Sequence, residues 1–273
     1  MDIIKADNLG YTYPGSVQGS ALRELSFSVK EGELAVFLGG SGAGKTTLAL
    51  AINALVPVQQ GTLEVSGMDC ADEASRWDIR RSCGLLFSNF DEQFISNYAR
   101  EDLGFAARNF LGPDENIDER VNEALKTVCM SGYADSTPQL LPFALRQRLA
   151  LATLLSYDPK ILIFDEPFSA MDEALDELLM EIIVKLHKQG KTILLMTREA
   201  RYAVLADKLY LMKDGSLFAQ GDPRDILSDR ELMSEAKLKP HFPVQVYYDL
   251  QDAGVQLMHC PLTIEELVDE VCR

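Results

Sequence analysis

The chain has 273 residues, 47% of them apolar, enough for one large domain, or for a domain with an appendage, built on a sizeable core. Acidic residues outnumber basic ones 42 to 26, and the resulting formal net charge of −16 argues against nonspecific binding to nucleic acid or anionic lipid. Five cysteines without C-x-x-C spacing and only three histidines point to free thiols rather than to a zinc or disulfide framework.

The N-terminal MDIIKADNLG has no basic stretch followed by an apolar one, so it does not read as a signal peptide. No uncharged apolar run approaches the ~20 residues of a membrane helix. A membrane role is therefore expected to come through a partner.

DIIKA, LRELSFSVK, ELAVFL and GTLEVSG are short strand-like runs in the first 70 residues, separated by turn signals such as Tyr13-Pro14-Gly15 and Glu31-Gly32. They predict a small antiparallel sheet built onto a core. Between the last two runs, residues 39–47 read GGSGAGKTT, that is Gly39, Gly40, Ser41, Gly42, Ala43, Gly44, Lys45, Thr46 and Thr47. The segment satisfies G-x-x-x-x-G-K-[ST], and each residue type has a physical task. Glycines let backbone N–H groups close around an anion, Lys45 supplies a point charge for β and γ phosphates, and the Thr46 hydroxyl can ligate Mg²⁺. TTLALAINALV follows with apolar residues at helical spacing, which brings a positive helix end to the same loop.

Over residues 98–156 the pattern turns helical, as in DENIDERVNEALKTV and LPFALRQRLALATLLS, and predicts a helical insert at about 93–156. ILIF, TILLM and KLYLM then return as short buried strands, with a helix over residues 172–189 between the first two, and so imply a parallel sheet. The first of these strands runs into Asp165 and Glu166. An apolar strand ending in two carboxylates suits hydrolysis, with Asp165 holding Mg²⁺ together with Thr46 and Glu166 as general base. Lys213-Asp214-Gly215 signals a closing hairpin, and Thr263-Ile264-Glu265-Glu266 signals a capped final helix.

YDPKILIFDEPFSAMDE resembles the Walker B strand, catalytic glutamate and D-loop of ABC-type ATPases, while TILLMTRE and ADKLYLMKDGSLFAQG resemble their switch region and closing hairpin. YTYPGS, GLLFSNFDEQF and the tail FPVQVYYDLQDAG with PLTIEELV are most similar to the ATPase subunits of energy-coupling factor transporters. The resemblance implies an α/β fold: a P-loop NTPase (RecA-like) core with an N-terminal antiparallel β subdomain and an inserted α-helical subdomain over residues 1–221. A C-terminal helical appendage would span 222–273. It also implies ATP and Mg²⁺, Tyr13 stacked on adenine, Glu166 as the catalytic residue, and Ser169 and Asp172 in a D-loop at a dimer interface. The implied partners are a second ATP-binding subunit, an integral-membrane coupling subunit and a substrate-binding membrane subunit, with no nucleic acid. Such a protein sits peripherally on the cytoplasmic face of the cell membrane and powers uptake of a vitamin or metal ion. An acidic groove near residues 88–102, with Asp91, Glu92, Glu101 and Asp102, is expected to receive a basic helix of the membrane subunit.

Three motifs depart from the family pattern. Ser88 stands where the family places a lid glutamine, with Gln93 five residues on, and Arg198 replaces the switch histidine. Leu141, Pro142, Phe143, Ala144 and Leu145 occupy the L-S-G-G-Q signature, which removes its serine and glycines. In the family each ATP lies between one subunit's loop and the other's signature, so Ser88 and Arg198 weaken this chain's own site and LPFAL weakens its partner's. Two readings follow: a weakly hydrolysing transporter subunit that pairs with a different ATPase subunit, and a pseudo-ATPase acting as an ATP-dependent structural or regulatory dimerisation module.

Overall fold

The computed structural model describes residues 1–16, 19–168 and 173–272. β1 (Asp2–Tyr11) and β2 (Leu22–Lys30) pair antiparallel, and β3 (Leu34–Gly39) is buried at every position. A loop leads to α1 (Lys45–Ile52), then to β4 (Gln60–Val65) and β5 (Met68–Asp69), which extend the β1–β2 sheet in the order β2-β1-β4-β5. α2 (Arg76–Ser82) leads directly into β6 (Cys83–Leu86). α3 (Ala99–Phe110), α4 (Ile117–Thr127) and α5 (Phe143–Leu155) pack on one another as a helical group. β7 (Ile161–Asp165), α6 (Glu173–Lys188), β8 (Thr192–Thr197), α7 (Ala200–Ala203), β9 (Lys208–Lys213) and β10 (Ser216–Gly221) complete a second sheet, ordered β10-β9-β3-β8-β7-β6. Within it only the β9–β10 pair is antiparallel.

The period-2 geometry of a strand explains how one sheet serves two cores. Leu34, Val36 and Leu38 of β3 join the core beneath the helices, while Ala35 and Phe37 face the core shared with α1 and the antiparallel sheet. Strands covered on both faces read as unbroken apolar runs, as ILIF and TILLM do.

The structure corrects two expectations of detail and adds two features beyond those expected. ELAVFL is β3, a central strand of the parallel sheet flanked by β8 and β9, rather than a strand of the antiparallel sheet. β6 had no separate strand signal, because four residues between helix and lid are too few for a periodicity. α1 ends at Ile52, well before Val56: the Asn53 amide turns inward to donate to the Cys83 carbonyl at 2.6 Å, and Ala54 takes a φ of 52°. The C-terminal segment holds α8 (Pro223–Leu227), α9 (Arg230–Glu235) and α10 (Phe242–Asp252) ahead of the final helix α11 (Ile264–Val271). Asp222 and Asp229 cap the first two, with Pro223 at the first helical position of α8, a start signal present in the sequence.

Two expected turn devices are present. Asp214 and Gly215, at φ 49° and 83°, form the two-residue turn between β9 and β10. The Thr263 hydroxyl accepts from the Glu266 N–H at 3.2 Å, and Glu266 reaches back to the Leu262 N–H at 2.8 Å, one residue further than in the usual capping box.

Candidate functional site

Parallel pairing sets the site. β3 and β7 run in the same direction on either side of β8, so the loop after β3 and the carboxylates after β7 emerge on one edge of the sheet. The carboxyl ends of parallel strands are where such sheets form their crevices.

Glycine is sterically required at two loop positions. A Cβ on Gly39 would stand 2.6 Å from the Met212 carbonyl oxygen, and Gly44 combines a φ of 97° with a Cβ position 2.6 Å from the Ala21 carbonyl oxygen. The hairpin turn braces the loop from behind. The Gly215 N–H donates to the Ala43 carbonyl at 3.1 Å, and the Arg23 N–H donates to the Gly215 carbonyl at 2.7 Å.

Lys45 is 5% exposed, donates to the carbonyls of Gly39 (2.6 Å) and Gly40 (3.0 Å), and pairs with Glu166 at 3.0 Å. The Thr46 hydroxyl donates to the Asp165 carboxylate, 2.9 Å from one oxygen and 3.1 Å from the other. Burial holds the Asp165 carboxyl above the ordinary carboxylate range and the charge of Glu166 adds to this, while the Thr46 and Ser88 hydroxyls and Lys45 pull it back. Glu166 itself has a φ of 49°, and its N–H is held by the Met196 carbonyl at 2.9 Å. A left-handed backbone at a glutamate costs on the order of 1 kcal/mol or more and occurs most often at functional turns. Here it accompanies a carboxylate turned back to Lys45.

Lys45, Thr46 and Glu166 share a cavity of about 730 Å³ whose wall also includes residues 41–44, Thr47, Tyr13, Ser88 and Arg198, whereas Asp165 is buried outside the lining and bonded to Thr46. Tyr13 is 40% exposed, stands edge-on to Tyr11 with centroids 4.9 Å apart, and has its hydroxyl 3.3 Å from that of Thr47. Its partial exposure on the cavity wall makes the ring available to a planar ligand. Gly39 and Gly40 do not line this cavity, and their carbonyls accept from Lys45. Ser20 and Arg23 also line the cavity without having been marked by any motif, and so does Asp214, which the sequence marks only as a hairpin turn residue.

The three divergent motifs separate in space. Ser88 lines the cavity, and its hydroxyl supports the Asp165 carboxylate. Arg198 is exposed on the same wall. Gln93 is turned elsewhere, donating to the Leu85 carbonyl at 3.0 Å and accepting the Phe87 N–H at 3.4 Å, and it does not line the cavity. Residues 141–145 lie outside the cavity at the start of α5. Pro142 stands just before the first turn rather than within it, with φ −54° and ψ 151°. Ser169 and Asp172 fall outside the described residues.

The acidic groove needs correction as well. Asp102 is 2% exposed and spends its carboxylate internally, on the N–H groups of Ile95 (2.9 Å) and Ser96 (3.2 Å) and the Thr153 hydroxyl (3.2 Å). Asp91 is paired with Arg146. The remaining exposed carboxylates, Glu92 and Glu101, are accompanied by exposed Ile95, Tyr98 and Phe105. This surface is mixed apolar and acidic, not simply acidic.

Comparison with known proteins gives consistent relatives. The ABC transporter family model matches residues 22–169. The energy-coupling factor transporter ATP-binding protein of Clostridium novyi is 37% identical over 276 residues, covering 100% of this chain and 98% of the relative. Its counterpart in Methanocaldococcus jannaschii is 33% identical over 241 residues, covering 88% and 86%. Among solved structures, cbiO1 from Clostridium perfringens, part of the ABC transporter complex cbiONQ, superimposes with a TM-score of 0.76 at 28% identity, covering 86% of this chain and 94% of that one. An ATP-binding cassette solved as a post-hydrolysis dimer bound to ADP and Pi gives 0.74 at 26% identity, covering 81% and 99%.

Proposed function

The chain belongs to the ABC transporter family, and from that premise we propose that it is the ATP-binding, slowly hydrolysing subunit of an energy-coupling factor type importer. The fold is that of a P-loop NTPase, as in its solved neighbours. One observation carries the reading: Lys45, Thr46 and Glu166 line one cavity with Tyr13 on the same wall, and the buried Asp165 reaches it through its hydrogen bond with Thr46. The pseudo-ATPase alternative finds no support among relatives that are transporter ATP-binding proteins.

In this reading the backbone N–H groups of residues 41–46 and the Lys45 ammonium take the β and γ phosphates of ATP, and Tyr13 takes the adenine face. The hydroxyl of Thr46 and the carboxylate of Asp165 form the hard oxygen donor set that suits Mg²⁺, which when bound neutralises charge on the phosphate oxygens. Glu166 accepts a proton from water as the water oxygen bonds to the γ phosphorus. The bond to the β–γ bridging oxygen breaks, leaving ADP and phosphate. For Glu166 to act as base, Lys45 must first leave it for the phosphates.

Hydrolysis is slow because the γ-phosphate end is poorly equipped. Ser88 carries no amide to orient water, and the Arg198 guanidinium attracts phosphate but accepts no hydrogen bond. Loss of one preorganised donor costs about a hundred- to a thousandfold in rate. The same argument applied to residues 141–145 favours a heterodimer with a second ATP-binding subunit that carries an intact signature. We assign residues 1–221 to the nucleotide-binding cassette and 222–273 to its appendage.

Among the described residues no helix is long and apolar enough to cross a membrane, so the chain would sit peripherally on the cytoplasmic face of the membrane, bound to a coupling subunit. The transported solute, a vitamin or metal ion, would be taken by a third, substrate-binding membrane subunit. Exposed Ile95, Tyr98 and Phe105 beside Glu92 and Glu101 suit a partner helix that is both apolar and basic. Co-expression with an energy-coupling factor type membrane subunit and a second ATPase subunit tests this. A stable complex whose ATP turnover exceeds that of the isolated chain is expected; no complex, with turnover unchanged by the other subunits, would overturn the transporter assignment.

A further inference from the structure

A single arginine joins two segments that lie 55 residues apart in the chain. Arg146, near the start of α5, places Nε 2.7 Å from Asp91 Oδ1 and Nη2 3.0 Å from Asp91 Oδ2, while Nη1 donates to the Leu141 carbonyl at 2.9 Å. Next to this fork the rings of Phe90 and Phe143 meet edge-on with centroids 4.9 Å apart, and Phe90 is only 1% exposed. The segment that places Ser88 in the cavity wall is thus fastened at two adjacent points to residues 141–145, which lie outside the cavity.

The chemistry of the fastening matters. A planar guanidinium holds both carboxylate oxygens in a fixed plane and still has a third donor for the Leu141 backbone, which a lysine ammonium on its flexible stem cannot reproduce. A shift of Phe90 and Asp91 must either carry residues 141–145 along or break a charge-assisted, two-pronged contact and a ring contact together.

We propose that Arg146 is a positioning residue that makes the segment after β6 and the start of α5 move as one body. Occupancy of the nucleotide cavity, sensed at Ser88, is thereby passed to the surface formed by residues 141–145. The proposal rests on the chain being an ATP-binding subunit. In that setting it gives the divergent LPFAL segment a transmitting task that does not need the phosphate donors it lacks.

Hydrogen–deuterium exchange on the intact chain, with and without MgATP, tests this. In the wild type, nucleotide slows exchange both in residues 85–93 and in residues 138–148. In Arg146→Ala and in Asp91→Asn the first segment still responds, the second no longer follows, and exchange in the second becomes about tenfold faster. The double variant Asp91→Asn with Arg146→Ala is no worse than either single one, because both remove the same contact. Asp91 is half exposed, so its variant keeps the fold even if the arginine variant does not. Coupled responses that persist in Asp91→Asn would overturn the proposal, as would a wild type in which residues 85–93 ignore MgATP. A separate equilibrium titration of MgATP shows in that last case whether nucleotide binding itself has failed.

Discussion

The Lys45 ammonium lies 3.0 Å from the Glu166 carboxylate, so the proposed phosphate-binding cation and the proposed general base neutralise each other. Both are largely shielded from water, and ligand binding must exchange this contact for one between Lys45 and phosphate. Glu166→Gln weakens the competing contact and leaves Lys45 in place. It is expected to tighten ADP binding about three- to tenfold, measured by calorimetric titration with a nucleotide that cannot be hydrolysed. Lys45→Ala is expected to weaken it by more than about tenfold.

Asp165 carries the opposite trade. Its carboxyl is buried and costs stability when ionised, and its Thr46 hydrogen bond offsets part of that cost. Asp165→Asn is expected to raise the stability of the nucleotide-free chain by about 1 kcal/mol, read by denaturant melting, while abolishing the Mg²⁺ dependence of nucleotide binding. Unchanged Mg²⁺ dependence would remove Asp165 from the metal site.

The C-terminal helices are expected to loosen in acid. His241 donates through Nε2 to the Leu262 carbonyl at 2.7 Å, and burial lowers its pKa from the ordinary 6.5. A lowered folded-state pKa means that the unfolded chain takes up the proton more readily. This contribution to stability is therefore full above 6.5 and is lost as pH falls from there through the folded value. Amide protection factors in residues 238–264, corrected for intrinsic exchange, should fall as pH drops below about 6.5, and His241→Gln should flatten that dependence.

Most of the site was legible because its chemistry is local in sequence. GGSGAGKTT and the strand that runs into Asp165 and Glu166 each state their residue types in one short window, and parallel pairing across β8 brings the two windows together. What escaped was non-local or without period. β6 is four residues long, the Asp91–Arg146 fork spans 55 residues, and nothing in the sequence distinguishes the buried Asp102 from its exposed neighbour Glu101. The Gly215 turn was readable as a hairpin, but its support of Ala43 appears only once β9 lies beside β3.

Restoring the signature should expose a conflict between activity and packing. Pro142→Ser, Phe143→Gly, Ala144→Gly and Leu145→Gln together supply the missing donors and glycines, and are expected to raise hydrolysis at the nucleotide facing the second ATP-binding subunit by about tenfold or more. The same change deletes the Phe90–Phe143 ring contact and should cost the isolated chain about 2 kcal/mol in thermal or denaturant melting. Higher turnover without loss of stability would mean that Phe143 contributes little to holding the lid.

In the proposed function this cavity hydrolyses ATP through Glu166 when the chain is assembled with its partners. Phosphate release by the purified complex, compared between the wild type and Glu166→Gln at saturating MgATP, tests it most directly. A slow wild-type rate that falls by at least about a hundredfold in the variant is expected. Equal rates in the two complexes would contradict it.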